Sequence, residues 1–328
     1  MPKICALTLF YILSAAASCA GASNEGASGG QFLRIGVGAG SAALGETGSV
    51  ISGVQGVFYN PAGLAAVAGP ELYLSQVQWV LDTNYSNAAF AKRAGGGVFA
   101  LAASYLSSPA TDKYDKFGTK LPDAYSAADM AVTLGYGRRL GRGTALGLNA
   151  KYISSRLDTE SAAALALDAG IKYAAVPGKL QLGFVLQNAG TRLNYRNDGD
   201  ALPMNFKLGG QYTINLEKSR AMKKDTSVFA DVNYMKDSGP YANVGAEFLT
   251  TYDKAATFSL RAGYRTNVEG KSAGLSAGLG LDMTAYLIDY AYAPMGDLGN
   301  THRISLTFKF GAKPAPLPAA GDDDNWGL

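Results

Sequence analysis

Cysteine is almost missing from these 328 residues: there are two, Cys5 and Cys19, both near the start. Beyond Cys19 no disulfide can form, so backbone pairing and burial must hold the body together. Histidine occurs once, as His302, which excludes a histidine and cysteine pair in the body and any multi-histidine metal centre. Charge is scarce as well. Asp, Glu, Lys and Arg make up 17 % of the chain, and the net charge of +3 is spread over interspersed signs. That pattern lacks the basic footprint of a nucleic-acid binder. No enzymatic constellation emerges, and no cofactor is expected. A membrane-spanning helix is missing too, because no apolar run reaches the roughly 20 residues it needs. Yet 48 % of the residues are hydrophobic and the mean hydropathy is +0.02, the apolar edge of soluble proteins. The apolarity must be distributed in some other way.

The one uninterrupted apolar stretch comes first, where Lys3 precedes ICALTLFYILSAAA and small residues follow. This is the layout of a secretory signal, taken as residues 1–22, with cleavage after Ala20 or Ala22, or lipidation at Cys19. A little further on, GVGAGSAALGETG places Gly38, Gly40 and Ala43 at the spacing of a dinucleotide fingerprint. That motif needs a following helix and an acid about twenty positions on. Here Glu46 comes too early and Glu71 too late, so the small residues are read as serving close backbone approach.

From Glu71 onward every second side chain is apolar, in segments of about ten residues. In TFSLRAGYR, Phe258, Leu260, Ala262 and Tyr264 point one way and Ser259, Arg261, Gly263 and Arg265 the other. About fourteen such segments are expected, starting near Glu71, Tyr85, Val98, Asp129, Thr144, Ala162, Lys179, Pro203, Ser227, Tyr241, Ala256, Ala273, Ala285 and His302. Alternation alone does not separate a soluble sandwich from a membrane barrel. Segment length does, because a tilted membrane strand needs about nine to eleven residues and soluble strands peak nearer five or six. Connection lengths agree. SSPATDKYDKFGTKLPDAYSAA and NAGTRLNYRNDGDALP are long, whereas KRAGG, RRLGRG and AVPG are short and fall at the opposite end, as expected of outer loops and periplasmic turns. LEKSRAMKKD is the exception, longer than a periplasmic turn should be. Tyr105, Tyr136, Tyr152, Tyr173, Tyr212, Tyr264, Tyr286 and Tyr292 fall towards the ends of apolar faces, suiting the headgroup layers.

The fold class is therefore all-β: a transmembrane antiparallel β-barrel of about 14 strands in a bacterial outer membrane, with an N-terminal periplasmic or lumenal plug (hatch). The expected organisation is a signal peptide at 1–22, a plug at 23–69, the barrel at 70–310 and a disordered Pro/Ala-rich tail at 311–328. The barrel has outer-membrane lipid as its partner. Its lumen is expected to receive Lys151, Asp168, Lys172, Asp231, Glu247, Arg261, Asp282, Asp289 and Arg303, of both signs, pairing across a plugged or narrow interior. In the plug, YNPAGLAAVAGP places Asn60 as an N-cap and Pro61 at the first helical position, with Gly69 and Pro70 ending the turn.

FLRIGVGAGSAALG followed by VFYNPAGLA, ahead of the alternating region, resembles the PorV/PorQ family of outer-membrane proteins. That family is similar in turn to the FadL-type transporters of hydrophobic compounds. The resemblance implies a fourteen-stranded barrel with a hatch, and it matches Asn60, Pro61, Ala62 and Gly63 to the hatch motif. It also implies a non-enzymatic docking or shuttle role in protein secretion, with secreted proteins or secretion-machinery subunits bound at the long outer loops, especially 107–128. The alternative it implies is a FadL-like channel, with a hydrophobic small molecule lodged near the hatch among Phe32, Ile35, Phe58 and Tyr59. One departure stands out: family members commonly carry acids just before the hatch motif, where this chain has Ser52, Gly53, Val54 and Gln55.

Overall fold

The alternating segments pair in sequence order and close on themselves. In the computed structural model the described residues are 28–141, 143–195, 199–218, 222–252, 256–266 and 274–311. The expected signal peptide and nearly all of the expected tail lie outside them. The strands are β1 (Glu71–Gln78), β2 (Asn84–Ala94), β3 (Gly97–Ser107), β4 (Thr111–Tyr114), β5 (Lys120–Tyr125), β6 (Ala127–Arg139), β7 (Thr144–Leu157), β8 (Glu160–Val176) and β9 (Leu180–Gly190). They continue as β10 (Leu193–Asn194), β11 (Gly199–Asp200), β12 (Asn205–Lys218), β13 (Met222–Met235), β14 (Gly239–Tyr252), β15 (Ala256–Arg265), β16 (Leu275–Met283), β17 (Tyr286–Pro294) and β18 (Asn300–Lys309). Fourteen of them form a closed antiparallel barrel, shut where β1 meets β18, with Glu71 opposite Lys309 and Gln78 opposite His302. The hairpins β4–β5 and β10–β11 stand outside the ring.

Burial follows the sequence pattern inside out. Leu134, Leu148 and Leu167 are each 62 % exposed, whereas the inward Asp168 and Asn233 are 1 % and 0 % exposed. Leaving a leucine in water rather than burying it costs about 1.5–3 kcal/mol. A whole girdle of such residues is stable only against lipid, and closing the ring leaves no unpaired strand edge there. No helix among the described residues is long and apolar enough to cross a membrane; the crossing is made by strands.

One detail of the reading needs correction. LEKSRAMKKD is not a long turn: β12 runs to Lys218 and β13 begins at Met222. The ladder holds past the apolar stripe, with Asp225 opposite Asn215 and Lys223 opposite Lys218, because backbone amides and carbonyls go on pairing whatever side chains they carry. The long loop after β3 has strands of its own. It carries the β4–β5 hairpin, whose alternation is invisible because every residue of β5 is exposed.

Candidate functional site

Residues 28–69 are threaded through the lumen and are mostly buried. Their elements are short: 3-10 turns at Gln31–Arg34, Val54–Val57 and Pro61–Ala66, and the five-residue helix α1 (Ala39–Ala43). Asn60 caps the last turn, accepting a 3.0 Å bond from the Ala62 amide, and Pro61 takes the first helical position. The Asn60 side chain also donates to the carbonyls of Ser49 at 2.5 Å and Ile171 at 3.2 Å, tying plug to wall. The opening glycine pattern has a steric cause. Gly38 has φ 81° and a side chain there would run into the Tyr73 hydroxyl, so backbone passes where no Cβ fits.

The wall is cut to match. Gly137, Gly147 and Gly170 face one another across β6, β7 and β8, Gly183 meets Gly209 across β9 and β12, and Gly245 meets Gly263 across β14 and β15. At each of these places plug atoms occupy the space a side chain would need: Pro61 and Ala62 at Gly147, Asn60 at Gly170, Ser49 at Gly183, and Leu44 and Gly45 at Gly263. Polar side chains finish the seat. Asp231 accepts from the Gly48 and Ser49 amides at 2.7 and 3.1 Å. Gln187 donates to the Phe58 and Tyr59 carbonyls, and Arg93 to that of Val67 at 2.9 Å. From the first strand, Glu71 accepts from the Val54 amide at 2.9 Å.

The wall charges were expected to pair across the lumen. Because the plug fills the middle, they pair along the wall or with the plug. Lys151 meets Asp168 at 2.8 Å, Arg261 meets Glu247 at 2.7 Å and Asp289 at 2.5 Å, and Lys309 meets Asp282 at 2.6 Å. Lys172 donates to the Ile51 carbonyl at 2.9 Å and the Ser52 hydroxyl at 2.6 Å.

Two chambers remain beside the plug. An outer one of about 350 Å³ is lined by Phe32, Ile35, Trp79, Leu106, Met295 and Arg303, among others. An inner one of about 70 Å³ is lined by Ile35, Val37, Phe58, Tyr59, Tyr85 and Ser104, among others. Arg34, Ile35 and Glu46 border both. The four residues expected around a ligand are therefore divided: Phe32 faces the outer chamber, Phe58 and Tyr59 the inner one, and Ile35 both. Between the chambers, Glu46 is clamped by Arg265 at 2.5 Å and Arg303 at 3.0 Å. Arg303 also donates to the Gly36 carbonyl at 2.9 Å and stacks 5.4 Å from the Trp79 ring, while Arg265 lies 5.0 Å from the Tyr241 ring. Burial pushes the Glu46 carboxyl upward, but Arg265 and Arg303 outweigh it and hold the group below its ordinary value. Burial and the Glu46 charge raise the Tyr59 hydroxyl, which donates to the Val37 carbonyl at 2.8 Å. Glu46, Trp79 and the glycine row were not picked out as site residues in the sequence. The lone acid in a run of small residues was the available signal for Glu46.

No protein-family model and no curated protein matches the chain. Solved structures do. The CymD monoaromatic hydrocarbon channel superposes with a TM-score of 0.57 at 13 % identity, covering 84 % of this chain and 98 % of that one. The Ralstonia pickettii toluene transporter TbuX gives 0.53 at 14 % identity, covering 84 % and 98 %. The Pseudomonas putida toluene transporter TodX gives 0.53 at 11 % identity, covering 81 % and 95 %. Nothing among these neighbours supports the PorV/PorQ resemblance in particular. Identities this low speak for the fold alone, and the chain is a bacterial outer-membrane protein whose closed fourteen-stranded barrel shares its fold with these hydrocarbon channels.

Proposed function

We propose that the protein is a channel through which hydrophobic small molecules enter, the alternative of the two readings raised by the sequence. The observation that carries it is the pair of chambers meeting at Ile35: an outer cavity in which apolar surface from Phe32, Trp79, Leu106 and Met295 lies beside the charged Arg34, Glu46, Asp129, Arg265 and Arg303, leading to an inner chamber beside the hatch. The neighbours that share the fold are a monoaromatic hydrocarbon channel and toluene transporters, which supports the same reading. Asn60, Pro61, Ala62 and Gly63 anchor the hatch in this scheme. Phe32, Ile35, Phe58 and Tyr59 contact the ligand.

Trp79 and Trp326 are the two tryptophans, so Trp326→Phe leaves Trp79 as the sole reporter in the outer chamber. Titrating that variant with toluene is expected to change Trp79 emission saturably. Ile35→Phe should then cut toluene uptake by intact cells about tenfold while leaving the Trp79 response in place. An unsaturable response, or uptake unaffected by Ile35→Phe, would refute the channel.

The secretion reading keeps one observation in its favour. The β4–β5 hairpin holds Tyr114 and Phe117 out at 60 % and 80 % exposure and is tied to the β7–β8 turn by Lys113 and Asp158 at 2.7 Å. Deleting residues 110–126 should leave toluene uptake intact. Loss of a secreted protein that co-purifies with the parent would instead favour docking.

A further inference from the structure

The glycine seat and its polar anchors lie mainly on β6 to β16; the opposite face of the lumen, β18–β1–β2–β3, is built differently. There the register lines up Ser305, Ser75, Asn87 and Ser104 in one row across the four strands. Apolar side chains flank the row, with Val77 and Tyr85 on its outer side and Ala89 and Ala102 on its inner side. All four members are buried, Asn87 to 4 % exposure. Among the buried asparagines of the described residues, Asn87 is the one whose amide has no protein partner at either end, and the Ser75 hydroxyl also has none. Ser305 accepts from the Ala39 amide at 3.3 Å. A buried amide with four vacant hydrogen-bonding positions is costly and rare in native proteins unless something else fills them.

What fills them is constrained by position. Ser104 and Tyr85 line the inner chamber, while Ser75, Asn87 and Ser305 border a second space of about 480 Å³ shared with the outward-facing Leu74, Tyr105 and Ile304, so the row touches the space reached past Ile35 at Ser104 and lies between the two cavities. On this face Arg303, Glu71 and Arg93 tie the plug above and below the row and Ser305 ties it at the row's end, and near the rest of the row plug and wall meet by contact, as where the Phe58 and Tyr73 rings approach to 6.0 Å.

We propose that the Ser75, Asn87 and Ser104 row is a polar station that binds the hydrogen-bonding substituent of the permeating molecule, and that passage past the plug follows this face. The inference rests on the channel reading and sharpens it. The preferred solutes are small aromatics carrying a hydroxyl group, with the ring among Phe58, Tyr59 and Tyr85 and the hydroxyl shared with the Asn87 amide. A primary amide both donates and accepts, so it serves an alcohol in either direction, and a bare hydrocarbon leaves it unpaired.

The test compares uptake of benzyl alcohol and toluene by intact cells. The parent is expected to favour benzyl alcohol. Asn87→Leu should lower that preference about tenfold by reducing benzyl alcohol uptake alone, whereas Asn87→Ser keeps a hydroxyl in the row and should retain most of it. Should Asn87→Leu fail to assemble, Ser104→Ala removes one member without adding bulk and should shift the preference the same way. Equal uptake of the two solutes by the parent, or an equal fall of both in the variants, overturns the polar station while leaving the channel standing. If the parent takes up neither solute and Trp79 does not respond, the channel reading itself is what fails.

Discussion

Gly147→Val is expected to unseat the plug while leaving the barrel closed. Gly147 lies on β7 with its missing side chain aimed at the backbone of Pro61 and Ala62, and backbone cannot step aside as a flexible side chain does. Overfilling a packed interior costs about 1–3 kcal/mol in ordinary cases. Here the obstruction is main chain capped by Asn60, so a loss of about 3 kcal/mol or more is expected for the seated state. The strands themselves lose little, since valine suits a sheet. The result to look for is a barrel that still shows its strand circular dichroism and heat-modifiable migration, but with a large steady conductance in planar bilayers and cells sensitised to bulky antibiotics. Gly147→Ala should give a weaker version. A Gly147→Val barrel as tight as the parent would show that the glycine row is not what receives the hatch.

Glu46→Ala should be the most damaging single substitution in the clamp. Arg265 and Arg303 are both held by this one carboxylate, and Arg303 is 3 % exposed. Removing one partner of a buried ion pair costs about 3–5 kcal/mol, because the remaining charge is left uncompensated; here two guanidinium groups would remain facing each other. Thermal unfolding of the purified barrel should fall accordingly, and Arg303→Met in the Glu46→Ala background should restore part of the loss. The same clamp predicts a pH response. Glu46 sits in the plug, and its carboxyl is held below the ordinary value by the two arginines. A depressed acid contributes stability that is complete above its unfolded-state value and is lost as the pH falls through the folded one. Plug protection against proteolysis should therefore hold near neutral pH and weaken only in strong acid, and Glu46→Gln should show the weakened state at every pH. Acid sensitivity undiminished in Glu46→Gln would assign it to another group.

The barrel was legible because its rule is short-range: one residue out, the next one in. Phe258, Leu260 and Tyr264 alternate with Ser259, Arg261 and Gly263 in the sequence and in the wall alike. Strand ends were harder to read. On β12 and β13 the backbone ladder outlasts the apolar stripe, and on β5 no stripe exists, so a reading based on side chains misses pairing carried by amides and carbonyls. The plug was legible as to material but not as to layout. Small residues announced close approach, and Asn60 with Pro61 announced a capped turn; which strand each of them meets depends on register around the ring. Gly147 and Gly263 looked merely like small members of a polar face. Their meaning appears once β7 and β15 are found against the same 42-residue segment, residues 28–69. Glu46 was hidden for a similar reason, since its partners are 219 and 257 residues further along the chain.

That separation bears on how the molecule is made. The segment that ends up inside is synthesised first, while Arg303, which clamps it, belongs to the last strand, the one that shuts the ring against β1. Contacts so distant along a chain form late and slowly. A completed cylinder would have to be threaded by its own N-terminus, whereas an open curl of strands can receive the plug from the side. Docking of the final strand then brings Arg303 to Glu46 as it closes the ring against β1.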